Sequence, residues 1–144
     1  MYIHTRTHTH THTYTALPYT SLALQKQSYE DEHGGAADDR AYSCATDASG
    51  NVYMVGRSIS TYGIATAGAH QTVNGGLPGY EDAFLVKFDS SGVRQWGTYY
   101  GGSGVEYGYS CATDALGNVY MAGQTNSYTD IATAGAHQTV YGQG

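Results

Sequence analysis

Proline, phenylalanine and cysteine each occur only twice in this chain of 144 residues, and tryptophan once. What stands in their place is 20 glycines and 15 tyrosines, a composition suited to turns and to pleated, half-buried strands. Basic residues are scarce as well, six against twelve acidic, giving a net charge of -6. That balance disfavours nucleic acid and anionic membrane as partners. No apolar run approaches the length needed to cross a bilayer, so no membrane insertion is expected. Met1 to Thr15 has no apolar core of a signal peptide, so the chain as given carries no secretory signal. The length fits one domain, and 40% hydrophobic content is enough for a core if the pieces close on each other.

One stretch is present twice. Tyr42-Ser43-Cys44-Ala45-Thr46-Asp47-Ala48 returns as Tyr109 to Ala115, and Gly50-Asn51-Val52-Tyr53-Met54 returns as Gly117 to Met121. The offset is constant, and 25 of the 35 positions from Tyr42 to Gly76 are identical in the second copy. The agreement includes the unbroken run Ile64 to Val73, repeated as Ile131 to Val140. The two cysteines, Cys44 and Cys111, occupy equivalent repeat positions. Equivalent positions on neighbouring repeat units usually lie too far apart for a disulfide, so both are expected to be free thiols filling small core sites.

Residues 1–33 stand outside the repeat. His4 to Thr13 alternates His and Thr, with one Arg, as a translated CA dinucleotide repeat would. Histidine at every second position would line one face of a strand and suggests metal binding, but no acidic or cysteine ligand is interleaved. The segment is expected to be disordered or a gene-model artefact, and the repeat region to run over 34–144.

Asp47-x-x-Gly50, Asp89-x-x-Gly92 and Asp114-x-x-Gly117 each sit between apolar runs. Aspartate there accepts a backbone hydrogen bond two residues on, and glycine takes positive φ, so each reads as a hairpin turn. None has the dense Asp/Asn spacing of a calcium loop, so turn formers are expected rather than metal ligands. Three hairpins follow: Tyr42–Asp47 with Asn51–Arg57, Asp82–Phe88 with Val93–Tyr100, and Tyr109–Asp114 with Asn118–Gln124. Val52-Tyr53-Met54-Val55 and Phe84-Leu85-Val86 are apolar on both faces, which predicts a sheet covered on both sides, as in stacked layers. The connector 58–81 is longer than an ordinary hairpin loop, enough to hold ordered structure of its own. His70 and His137, in the repeated run, have no Ser, Cys or carboxylate at a fixed spacing and are expected to pack within loops.

These residues resemble the SBBP-type beta-propeller repeat, a family of extracellular and cell-surface proteins found largely in bacteria. The resemblance is carried by Ala45-Thr46-Asp47-Ala48-Ser49-Gly50-Asn51-Val52-Tyr53-Met54-Val55-Gly56 and Gly68-Ala69-His70-Gln71-Thr72. It continues through Asp82-Ala83-Phe84-Leu85-Val86-Lys87-Phe88-Asp89-Ser90-Ser91-Gly92 and Trp96-Gly97-Thr98-Tyr99-Tyr100-Gly101-Gly102. It covers about residues 34–144; Cys44 and Cys111 depart from it, standing where the family has a larger aliphatic residue. It implies an all-β fold of propeller blades, an extracellular or cell-surface location, and no catalytic residues or cofactor.

The period agrees with that fold, since four strands within one repeat make one blade with a long connector. The chain is therefore expected to hold about one and a half four-stranded blades. It would be a fragment of a larger surface propeller that self-associates because the ring is incomplete. The expected function is a non-catalytic structural or adhesive module that meets a glycan or surface protein through its loops. Tyr62, Tyr80, Tyr128 and Tyr141 lie in or beside those loops. Two alternatives are a truncated or spurious gene product without evolved function and, more remotely, a piece of a quinoprotein-like propeller enzyme. No catalytic, cofactor-binding or metal-binding residue is assigned.

Overall fold

The computed structural model describes residues 38–142, together with Tyr2–Ile3 and Thr15–Ala16. Those two pairs, β1 and β2, form a short antiparallel ladder. The rest of the 1–33 segment, expected to be disordered, lies outside the described residues, as does the 34–37 boundary of the repeat region. β3 (Asp39–Thr46), β4 (Val52–Ser58), β5 (Asp82–Phe88) and β6 (Arg94–Tyr100) make one antiparallel sheet in chain order. β7 (Glu106–Thr113) and β8 (Val119–Thr125) form a separate hairpin. The fold is all-β, built of antiparallel hairpins, as the composition and turn signals predict.

The second hairpin repeats the first at the same offset as the sequence. Asp39 opposite Ser58 becomes Glu106 opposite Thr125, and Thr46 opposite Val52 becomes Thr113 opposite Val119. Both β3 and β7 begin before the starts expected at Tyr42 and Tyr109, at Asp39 and Glu106. The extensions cross β-bulges, between Ala41 and Ser43 and between Gly108 and Ser110, which break the alternation that would reveal them. Glycine faces each bulge for want of room. A Cβ on Gly56 would lie 1.8 Å from the Arg40 carbonyl oxygen, and one on Gly123 2.0 Å from that of Tyr107.

All three turns form as the sequence predicts. Asp47 Oδ1 accepts from the Ser49 and Asn51 amides at 2.9 and 3.0 Å. Asp89 and Asp114 do the same for Ser91 with Val93 and for Leu116 with Asn118, all at 2.9 Å. Gly50, Gly92 and Gly117 take φ of +77°, +82° and +82°, closing each turn where a Cβ would be strained.

One face of the four-stranded sheet carries the cluster Met54, Phe84 and Val86, joined by Ala41, Ile64 and Phe88. The other face carries Tyr53 and Val55, and β7 lies across it. The two layers approach closely because β7 offers Gly108, whose Cβ position is 3.4 Å from Val55 Cβ. Thr113 Oγ1 donates to the Thr46 carbonyl at 2.8 Å, between equivalent residues of the two copies. Tyr42 and Tyr109, also equivalent, bring their rings to 5.9 Å, and the Arg57 guanidinium sits 5.2 Å above the Tyr107 ring. The stacked layers expected from the doubly apolar strands are thus present.

Cys44 and Cys111 are both free, but neither is a core residue: Cys44 is exposed and Cys111 half-buried. β3 and β7 are the terminal strands of their sheets, so their side chains have a strand neighbour on one side only. Partial burial raises the Cys111 thiol above its ordinary pKa.

The 58–81 connector is ordered, and part of it runs along the outer edge of β6. The Thr66 amide donates to the Gly97 carbonyl at 2.9 Å and Thr66 Oγ1 accepts from the Gly97 amide at 3.3 Å. The Tyr99 amide donates to the Gln71 carbonyl at 3.1 Å. Groups that an edge strand would leave unpaired are satisfied in this way. The approach requires glycine at 97, where a Cβ would fall 2.2 Å from the Ile64 carbonyl oxygen.

Two glycines then separate crowding from backbone strain. Gly97→Ala is expected to push the connector off β6, at a cost of about 2 kcal/mol. Gly117→Ala meets nothing within 4 Å and is strained only by its φ of +82°, costing about 1 kcal/mol. Urea midpoints measure both costs, and only Gly97→Ala should speed hydrogen exchange at the Tyr99 amide. Unchanged midpoints, or equal exchange in the two variants, would contradict the assignment.

Candidate binding surface

The two connectors, 58–81 and 125–142, expose most of the large apolar side chains that do not belong to strands: Tyr62, Val73, Leu77 and Tyr80 in the first, Tyr128, Val140 and Tyr141 in the second. Their bases are anchored differently. In the first, Asn74 is buried, with Nδ2 donating to the Ser58 carbonyl and Oδ1 accepting from the Gly76 amide, both at 2.9 Å. The Tyr99 hydroxyl donates to the Ser60 carbonyl at 2.7 Å, and burial raises its pKa to about 12. In the second connector Tyr141 replaces Asn74, stands exposed, and meets Tyr128 edge-on at 5.3 Å. Of the four loop tyrosines singled out in the sequence, the fold brings these two together, while Tyr62 and Tyr80 stand exposed on the other connector.

His70 and its repeat equivalent His137 are both exposed, His70 stacking on Tyr100 at 5.7 Å. Among the described residues, no three His, Cys, Asp or Glu side chains gather as a metal-ligating group.

Below the connectors, at the seam between the two layers, lies a carboxylate pair that the sequence did not mark. Asp82 is fully buried. Its Oδ2 accepts from Gln71 Nε2 at 2.7 Å and from the Gly75 amide at 2.8 Å, while its Oδ1 has no partner. Glu106, also buried, accepts from Thr125 Oγ1 at 2.6 Å and from the Gly102 amide at 3.0 Å. Both acids converge on Gly101, whose Cβ position is 2.6 Å from Asp82 Oδ1 and 2.5 Å from Glu106 Oε2. Burial raises the Asp82 pKa, and the charge of Glu106 adds to the rise. The signal for Glu106 was its place as the repeat equivalent of Asp39, an acid in both copies. Beside the pair is a hollow of about 140 Å³ lined by Ala83, Tyr100, Tyr107, Met121 and Ile131.

A four-stranded antiparallel meander, followed by a hairpin that repeats its first two strands and stacks on its face, defines a propeller-type repeat module. Residues 95–131, from β6 through the β7–β8 hairpin, match the family model SBBP, a beta-propeller repeat. No curated protein matches the chain.

The seam has a pH signature. Burial sets the folded-state pKa of Asp82 above its ordinary 3.8, so the folded protein holds this proton more tightly than the unfolded chain. Its contribution to stability therefore falls as pH rises from 3.8 through the folded value. Asp47 and Asp114 act in the opposite sense, because bonds led by the side chains of Asn51 and Asn118 hold their carboxyls low, Asp114 at about 2. Their contribution is lost only as pH falls below 3.8. The stability of Asp82→Asn relative to wild type should accordingly rise as pH increases from about 4. Parallel stability curves above that pH would contradict the buried-proton assignment.

Proposed function

We propose that this propeller-type module is a non-catalytic binding protein that meets its partner through the two connectors. The observation that carries the reading is the Tyr128–Tyr141 pair. It stands on a connector where the buried anchor of the first copy, Asn74, has given way to an exposed aromatic ring. Tyrosine offers a wide, stiff contact face with a hydroxyl at its tip, which suits a glycan or a protein surface. The strands are committed to the stacked layers, which leaves the connectors to vary.

Three further observations support the reading. His70 is engaged in ring stacking. The Asp82 and Glu106 carboxylates are buried in the seam. The net charge of -6 weighs against nucleic acid. Resemblance to a family of surface and secreted proteins supports an adhesive role at or outside the cell surface.

A glycan and cell-surface protein array, run beside a panel of hydrolase and dehydrogenase assays, tests this function. Binding should fall about tenfold or more in Tyr128→Ala and Tyr141→Ala, since aromatic anchors carry much of such an interface. Turnover that disappears on changing His70 or Asp82 would contradict it, as would binding indifferent to both tyrosines.

A further inference from the structure

Three polar residues stand in one row across the first sheet. Asp39 lies opposite Ser58, and Ser58 opposite Asp82, on the adjoining strands β3, β4 and β5. Residues paired in this way share a sheet face, with neighbouring Cβ atoms about 5 Å apart. Ser58 and Asp82 are both 0% exposed. Each carboxylate is satisfied through one oxygen only. Asp39 Oδ2 accepts from Ser60 Oγ at 2.9 Å, and Asp82 Oδ2 accepts from Gln71 and Gly75. Oδ1 of Asp39 and Oδ1 of Asp82 are buried without a hydrogen-bond partner.

The serine between them does not fill that gap. In the second copy the equivalent pair closes on itself, Thr125 Oγ1 donating to Glu106 at 2.6 Å. Ser58 Oγ instead accepts from the Ser60 amide at 3.0 Å. Tyr99 stands beside the same row. Its hydroxyl donates to the Ser60 carbonyl at 2.7 Å, and burial, then the charges of Asp39 and Asp82, act together to raise its pKa. Among the described residues neither acid is in an ion pair; Arg40 is paired with Asp38 and Arg57 with Glu81. Two buried carboxylate oxygens with neither donor nor counter-charge are costly unless a ligand supplies one.

We propose that Asp39 and Asp82 hold a calcium ion over Ser58, at the root of the first connector. Two carboxylates match the charge of a divalent ion. Ligation through the two Oδ1 atoms also leaves every hydrogen bond to the Oδ2 atoms in place. Only two acids take part; the Ser58 and Tyr99 hydroxyls and the Ser60 carbonyl complete a set of hard oxygen donors. Magnesium suits the site less, because it keeps several of its waters and Ser58 and Asp82 are closed to solvent. The turn aspartates offer no such opening, since both oxygens of Asp47 are already bonded. A bound ion ties β3, β4 and β5 to the connector that leaves from Ser58. The site lies within the first copy and is independent of the tyrosine surface.

The test is a calcium titration of the full chain after treatment with EDTA, followed by the urea midpoint. Calcium should raise the midpoint saturably, as a ligand of the folded state does, and magnesium at the same concentration should raise it far less. Asp82→Asn and Asp39→Asn keep the side-chain shape and remove one charge each. Each should weaken calcium binding about tenfold or more, since even an outer partner of a metal ligand is worth that much. Asp47→Asn, at a hairpin turn, should keep the wild-type affinity. A midpoint indifferent to calcium, an equal response to magnesium, or affinity unchanged in both Asp82→Asn and Asp39→Asn would overturn the proposal. Loss of the response in Asp47→Asn alone would place the ion at a turn and overturn it as well.

Discussion

The structure depends on one layer of strands lying on another. Tyr53 and Tyr120 occupy the same repeat position and make the same local bonds, each hydroxyl donating to Oδ2 of its turn aspartate, at 3.1 and 2.9 Å. Tyr53 is 2% exposed and Tyr120 57%. The difference arises from neither sequence nor turn chemistry, because both are shared. It arises because Tyr53 has neighbours that Tyr120 lacks: Lys87 and Trp96 flank its ring from β5 and β6, and β7 lies across the face that carries it. Full burial of one large apolar side chain stabilises by about 1.5–3 kcal/mol, so a face holding Tyr53 and Val55 gains about twice that by being covered. The hairpin turns set the strands in place, and the covering layer makes them stable.

Stacking alone would leave backbone groups unpaired at the rims. The connector meets that need by turning back along β6 and bonding the main-chain groups of Gly97 and Tyr99. The same residues tie the connector to the seam, since Gln71 bonds Tyr99 through its carbonyl and Asp82 through its side chain. A loop that looks variable by length and composition is thus half scaffold and half surface. Thr66 to Gln71 and Asn74 hold the sheet, and Tyr62 and Tyr80 face outwards. In the second copy the exchange of Asn74 for Tyr141 tips this balance towards surface.

Much of the fold was legible in the sequence because its signals are local. Asp-x-x-Gly forces a turn, and doubly apolar strands require two covering layers; both features depend on residues close together in the chain. The bulges at Tyr42 and Tyr109 were not legible, because a bulge shifts the alternation by one and hides the strand beyond it. The free state of Cys44 and Cys111 followed from the repeat, but their exposure did not, since it depends on β3 and β7 being terminal strands. The Asp82–Glu106 pair was least visible. Its members are distant in the chain and belong to different layers, and only the stacking brings them together over Gly101.

The central claim is that packing from neighbouring strands and the second layer, and not local hairpin geometry, holds the first blade together. Its most direct test is the same substitution at the same repeat position, Tyr53→Ala against Tyr120→Ala, with unfolding free energies measured in urea. Both lose one bond to a turn aspartate, so any difference between them reports the packing around Tyr53, from its β5 and β6 neighbours and from the covering layer together. Tyr53→Ala should cost about 3–5 kcal/mol, the usual loss for a buried aromatic. Tyr120→Ala should cost about 1 kcal/mol, its hydrogen bond alone. Equal costs in the two variants would contradict the account.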